Sequence, residues 1–377
     1  MRIAMVLEAT TGGTARHVVD LSSELMKLGH TLTLIYSPIR ADSKFESEVQ
    51  ALAFEHLVRL PMHRAVGPWD FRTAFALRQI IGQLGPFDVL HGHSSKAGAL
   101  TRLVTPKYTA CVYTPHAFRT MDPELRLPLR LIYGGVERVL ASFTDRVLVG
   151  SEQERQEARR LGFRTNVVRK IPFGLTEEKP LSRQEARRLI GLEDHDVVVG
   201  FVGRLTHQKA PERIVDAIAA SRHKSLKLVI AGDGDQGDQL QEQIDRLGVR
   251  SRVIMLGWIN GREIMPAFDL LAVPSRYESL GYVYMEAILA GVPVLTASTG
   301  LAPEIYDDNR LGQIVGHAHN SSAWSSALDG FIDRILAGYS IPSEDRKCFS
   351  LSDMAHGVIK AYEGTMEKSN FIPKSSK

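Results

Sequence analysis

Two carboxylates eight positions apart, Glu278 and Glu286, flank a glycine, Gly281, in the segment PSRYESLGYVYMEAILAGVP at 274–293. The run Leu270–Val273 before it reads as a strand, so Glu278 falls in a loop, where Gly281 permits close approach of backbone. The pattern predicts a helix from about Tyr282 to Ala290, stopped by Gly291. That helix is apolar on every side except at Glu286. A carboxylate buried there must be met by donors, and the hydroxyls of a ligand are suitable ones. The amino end of the helix, around Gly281, Tyr282 and Val283, carries the positive end of the helix dipole and favours a phosphate. Glu286 then lies roughly 6 Å farther along the axis, a spacing that fits a ribose beyond that phosphate. The alternative is that both glutamates are structural ion pairs.

A second group of candidates lies in FVGRLTHQKA at 201–210, where Arg204 and Lys209 follow a strand end. Both can reach a diphosphate, with each charge-assisted bond worth about 1.5–3 kcal/mol; surface ion pairing is the competing reading. Gly12-Gly13 ends the first strand and opens a helix, weak evidence by itself. The dinucleotide fingerprint GxGxxG is absent, and no acidic residue ends the second strand to hold a ribose, which disfavours a dehydrogenase. His116 in YTPHAF sits at a strand end, as do His91 and His93 in HGHS. For His91 and His93 a metal would need a third ligand, which the sequence does not place, so packing and support of neighbours is the better reading.

ESLGYVYME resembles the E-x7-E element of retaining GT-B glycosyltransferases of family 4, and the similarity spans nearly the whole chain. The resemblance implies that Glu278 contacts the donor sugar and Glu286 the nucleotide ribose, with backbone at Gly281, Tyr282 and Val283 reaching sugar and phosphate. Leu280 stands where an aromatic commonly precedes the glycine. FVGRLTHQKA is similar to the family's G-R-L-x-x-x-K-G segment, which implies that Arg204 and Lys209 stabilise the departing diphosphate in place of a metal. Ala210 replaces the usual glycine there, suggesting a tighter turn. Gly12 and Gly13 match the glycine loop near the acceptor and transferred sugar, and His116 matches a histidine beside the donor sugar. Trp258 lies near where the family meets the base, either stacking on it or covering the core. Asp233 and Asp235 in AGDGDQGD invite comparison with a metal-holding D-x-D of another fold, but the glycine turn of this family fits them better. Thr299–Glu304 resembles G-G-x-P-E with Leu301 in place of the second glycine, a difference that would add bulk near donor phosphates.

The elements that must position these residues are βαβ units. Runs at 2–7, 31–36, 87–91, 110–114 and 146–150 alternate with helical-period segments, and a second series follows at 197–202, 226–231, 253–256, 270–273 and 292–296. The expected fold is α/β, GT-B, with two facing Rossmann-like domains of parallel sheet and the site in the crevice between them. An N-terminal acceptor domain at 1–178 and a C-terminal donor domain at 179–350 are joined by a linker near 175–185. A helix near 351–366 packs back on the first domain, and the tail after Glu367 is expected to be disordered.

Composition agrees with this class. The chain has 377 residues, 44% hydrophobic and 24% charged, so two domains are expected and disorder or coiled coil is excluded for the whole. Its two cysteines form no CxxC pair and indicate a reducing compartment. The first apolar run is broken by Arg2 and is too short for a signal peptide, and the longest uncharged stretch, 17 residues at 287–303, is too polar for a membrane span. Residues 1–180 hold 24 basic against 18 acidic side chains, the remainder 22 against 25. Within the basic half, 119–170 interleaves arginine and leucine, either a solvated amphipathic helix or a surface attracted to phosphates and anionic membrane.

These readings lead to a retaining, metal-independent hexosyltransferase with no cofactor, in which His116 and Glu278 serve catalysis. The donor is a UDP-sugar or GDP-sugar, and the acceptor a saccharide or polyprenyl-linked sugar of bacterial-type surface polysaccharide. The expected location is cytoplasmic, at the inner face of the plasma membrane, with no nucleic acid partner. A nucleotide-sugar epimerase of the same architecture is the alternative.

Overall fold

The run IAMVL at 3–7 is fully buried in the computed structural model, as an all-apolar strand covered on both faces requires. It forms most of β1 (Arg2–Leu7), the third strand of a seven-stranded sheet. Its companions are β2 (Thr31–Tyr36), β3 (His56–Arg59), β4 (Val89–His93), β5 (Ala110–Thr114), β6 (Arg146–Val149) and β7 (Val168–Lys170). They lie in the order β3-β2-β1-β4-β5-β6-β7, all parallel. A second sheet joins β8 (Val198–Val202), β9 (Lys227–Ala231), β10 (Val253–Gly257), β11 (Leu270–Val273), β12 (Val294–Thr296) and β13 (Gly312–Ile314). Its order is β10-β9-β8-β11-β12-β13, again parallel throughout. The described residues are 1–175, 181–306, 309–318, 320–342, 345 and 349–369.

The chain clusters into two compact units, Met1–Thr176 with Phe349–Lys377, and Glu177–Cys348. In the first unit the helix Leu351–Ser369 lies against the helix Gly12–Lys27 and against β5 and β6. It therefore extends into the stretch read as a tail, of which 370–377 lie outside the described residues. The expected linker also lies partly outside them, at 176–180, and its far end is helical. Ser182 caps the helix Arg183–Leu189, accepting from the Glu185 amide while the Glu185 carboxylate accepts from the Ser182 amide.

The strand expected at 87–91 runs two residues farther along, from Val89 to His93, because it pairs with β1 as far as Leu7 and with β5 as far as Thr114. The arginine-rich helix Leu127–Leu140 is amphipathic, and the structure shows which face turns inward. Its buried side chains are Glu137 and Leu140, while Leu127, Leu131 and Val139 are 66%, 66% and 65% exposed. Glu137 turns inward because Arg102 donates to it at 2.8 Å and the Tyr113 hydroxyl at 3.1 Å. The apolar face of this helix thus meets solvent. Among the described residues no helix is long and apolar enough to cross a membrane.

Candidate active site

In the second unit, the loop after β11 and the turn after β8 are tied together by backbone. The Arg276 amide donates to the Gln208 carbonyl at 2.8 Å, and the Gln208 side-chain amide donates to the Tyr277 carbonyl at 3.1 Å. This tie delivers Lys209 to Glu278: the ammonium lies 2.5 Å from Glu278 Oε1, which also accepts from Ser275 Oγ at 2.7 Å. Glu278 is buried and Lys209 half-buried. Desolvation of the carboxylate is offset by a cation and a hydroxyl donor.

Lys209 is held in place by the residue that follows it. Ala210 takes the left-handed conformation, φ 52 and ψ 49, as N-cap of the helix Pro211–Ala220. A left-handed alanine is strained by about 1–2 kcal/mol, whereas glycine there costs about 0.5–1 kcal/mol in unfolded-state freedom. Ala210 is fully buried, so the lost methyl costs about 0.8 kcal/mol more, and Ala210→Gly should leave stability in urea unfolding within about 1 kcal/mol of the parent. This backbone explains the glycine usual at that position in the family resembled.

Gly281 sets the entry to the helix Tyr282–Ala290. It has φ 81, and a Cβ there would lie 2.5 Å from the Tyr284 ring. That ring is fixed from its far end, where the hydroxyl bonds Thr296 Oγ1 at 2.9 Å and Thr299 Oγ1 at 3.2 Å. Tyr282 is half-buried and Val283 buried at the amino end of this helix. Glu286 is not enclosed as the apolar helix suggests: it is half-buried and accepts from Arg262 Nε at 2.9 Å. Arg262 comes from the short helix Gly261–Ile264, capped by Asn260. It was not among the sequence candidates, since 24 residues separate it from Glu286 and no spacing rule links them. Both glutamates thus stand in ion pairs, and any ligand hydroxyl would share them with Lys209 and Arg262.

Arg204 is half-buried just after β8, where the Leu205 amide donates to the Asp233 carbonyl at 2.9 Å. Asp233 and Asp235 are exposed and belong to no three-ligand metal cluster among the described residues. Trp258 is 66% exposed, so it does not cover the core. Leu301 has φ −82, a conformation open to any residue, so no glycine is required there.

The first unit gathers four histidines. His91 and His93 lie on β4, His17 on the helix that Gly12 and Gly13 open, and His116 just after β5. His93 Nδ1 and His116 Nε2 are 3.2 Å apart, and the His17 ring lies edge-on to that of His116 at 4.9 Å. His91 stacks near His93 at 3.9 Å, its nitrogens bonded to the Tyr362 hydroxyl at 2.7 Å and Thr114 Oγ1 at 2.8 Å. Burial pushes His17 down to about 3, and burial with the neighbouring imidazoles pushes His91, His93 and His116 well below the ordinary range. The four rings are therefore neutral at pH 7.

His116 and Ala117 both have positive φ, 52 and 78, a strained pair costing about 1–3 kcal/mol each. Glu154 holds this turn. Fully buried, it accepts from the Ala117 amide at 2.7 Å and the Gly150 amide at 2.9 Å. Sequence reasoning missed Glu154 because EQERQEARR reads as a solvated charged helix, and missed His17 because its neighbours read as a plain apolar face.

Two parallel α/β units, each with polar side chains gathered at the carboxyl ends of its strands, make up the GT-B fold. Residues 12–174 match the family model for the glycosyl transferase 4-like domain, and residues 182–334 that for glycosyl transferases group 1. The chain belongs to the family-4-type GT-B glycosyltransferases. It is 38% identical over 195 residues to an uncharacterised glycosyltransferase of Methanocaldococcus jannaschii, covering 48% of each chain. It is 29% identical over 391 residues to the D-inositol 3-phosphate glycosyltransferase of Mycolicibacterium smegmatis, covering 94% of this chain and 87% of that one. Anabaena HepE, solved with UDP and glucose, shares the fold with a TM-score of 0.81 at 21% identity, over 97% of this chain and 100% of that one. The chain spans about half to two thirds of the first curated relatives it matches, 48%, 65% and 56% of their lengths.

Proposed function

We propose that this chain transfers a hexosyl group from a nucleotide diphosphate sugar to a saccharide or lipid-linked sugar, retaining the anomeric configuration and needing no metal. The observation that carries this reading is the Lys209–Glu278 pair in the loop that leads into the helix Tyr282–Ala290. A cation, a buried carboxylate and a positive helix end are the groups that a pyrophosphate and its attached sugar would require. Lys209, Arg204 and the amides at Gly281, Tyr282 and Val283 would take up charge on the departing diphosphate. Glu278 and the partly exposed His116 would orient the sugar while positive charge develops at its anomeric carbon, and Glu286 would hold the ribose. Preorganised electrostatics and orientation then supply most of the acceleration.

HepE was also solved with UDP-glucose, which makes UDP-hexoses the first donors to test. Calorimetric titration with UDP-glucose, UDP-galactose and GDP-mannose is expected to select one, and transfer from it should persist in excess chelator. Activity that requires added magnesium would remove the metal-independent mechanism. Isomerised donor formed without an acceptor would establish the epimerase alternative, which the glycosyltransferase names of the relatives disfavour.

The exposed apolar face of Leu127–Leu140, set among Arg126, Arg130 and Arg138, supports an acceptor carried at an anionic membrane surface on the cytoplasmic side. Cosedimentation with vesicles of anionic phospholipid is expected to weaken at least about tenfold in Leu131→Ser/Val139→Ser, since each aliphatic side chain buried in lipid is worth about 1.5–3 kcal/mol. Equal sedimentation of both proteins would take the membrane out of this reading.

A further inference from the structure

We propose that His17, His93 and His116 form a binding site for one divalent cation of the zinc class, with a fourth coordination position left open. One ring nitrogen from each histidine lies within 4.8 Å of those of the other two. Around a tetrahedral zinc with ligands at about 2.0–2.1 Å, neighbouring nitrogens are roughly 3.3 Å apart. His93 Nδ1 and His116 Nε2 stand 3.2 Å apart in a hydrogen bond to each other, which a metal would replace, with the rings turning to face it and His17 drawing in.

The chemistry of the three rings fits the same ligand. Three imidazoles with an open position make the donor set of zinc sites that keep a water or substrate. His93 is fully buried, and its Nε2, the ring nitrogen opposite the Nδ1 that faces His116, has no hydrogen-bond partner among the described residues. The surroundings hold the rings in place. His91, anchored at both nitrogens, lies against His93, and Phe173 covers His17 at 4.2 Å and His116 at 5.9 Å. An apolar cover of this kind limits solvent access to a metal site. The partial exposure of His116 gives an ion its way in.

The consequence for transfer rests on the role proposed above for His116. A cation would take its imidazole away from the sugar, so zinc would inhibit an enzyme that needs no metal.

The test is calorimetric titration of the chelator-treated full chain with zinc chloride, followed by zinc X-ray absorption on the loaded protein. One zinc per chain is expected, coordinated by three imidazole nitrogens, with affinity falling at least about tenfold in His17→Gln and in His93→Gln. No stoichiometric binding, fewer than three imidazoles in the absorption fine structure, or unchanged affinity in both variants would overturn the site. The spectrum of the wild-type protein decides even where a variant fails to fold. Three-imidazole zinc bound without any loss of transfer would establish the site and remove His116 from the sugar instead.

Discussion

Lys209→Ala should lower kcat/KM for the preferred nucleotide diphosphate sugar about 10- to 150-fold, the loss of one charge-assisted contact of about 1.5–3 kcal/mol to the diphosphate. The same substitution leaves Glu278 buried with, among the described residues, only Ser275 Oγ donating to it. Removing one partner of a buried pair costs about 3–5 kcal/mol, and the remaining hydroxyl and the partial exposure of Lys209 place this case near the lower end. The two effects separate in a double-mutant cycle with Glu278→Gln. If Lys209 serves the donor, kcat/KM in the double variant falls well below that of Glu278→Gln alone while stability recovers, because a neutral amide no longer needs the ammonium. A double variant as active as Glu278→Gln alone would mean that the lysine exists only to neutralise Glu278. Normal kinetics in Lys209→Ala would remove the donor assignment outright.

Gly232→Ala is expected to be the most damaging single methyl in the second unit. Gly232 has φ 147, and a Cβ there would lie 1.9 Å from the carbonyl oxygen of Gly203. The obstacle is backbone, which cannot rotate aside as a side chain would. The Gly232 amide is also committed, donating to the Gly257 carbonyl at 2.7 Å. Backbone strain of about 1–3 kcal/mol and overpacking of similar size add, so the loss should reach about 3–5 kcal/mol. Urea unfolding would show this directly, and any protein that still folds should bind donor poorly, since Arg204 follows the displaced Gly203. A variant with wild-type stability would show that the β8 and β9 turns are not pressed together as described.

The architecture was legible wherever strands are central and apolar. IAMVL, LTLIY and LLAV lie between neighbours on both sides or under helices, and burial leaves their composition little choice. Three of the four edge strands were not legible: HLVR in β3, VRK in β7 and GQI in β13 carry polar or small residues, whereas the apolar edge strand VIMLG of β10 was. The candidate site divides along the same line. Glu278 and Lys209 each stand in a recognisable segment, but the bond between them spans 69 positions and depends on the backbone tie at Gln208. Arg262, His17 and Glu154 lie in stretches whose local pattern describes a helix or a turn, and only tertiary packing reveals which way each points. The exposed face of Leu127–Leu140 shows the reverse failure: periodicity correctly marks an amphipathic helix without saying that Arg102 and Tyr113 would claim Glu137 for the interior.

The helix Leu351–Ser369 carries Tyr362, whose hydroxyl steadies His91 and through it the ring of His93. During synthesis the first seven strands leave the ribosome long before that tyrosine does. An N-terminal half emerging alone would have its sheet but not the latch behind its histidines. Maturation of this pocket therefore waits on translation of more than 170 intervening residues, and a nascent chain cannot carry a finished cluster while the rest is still being made.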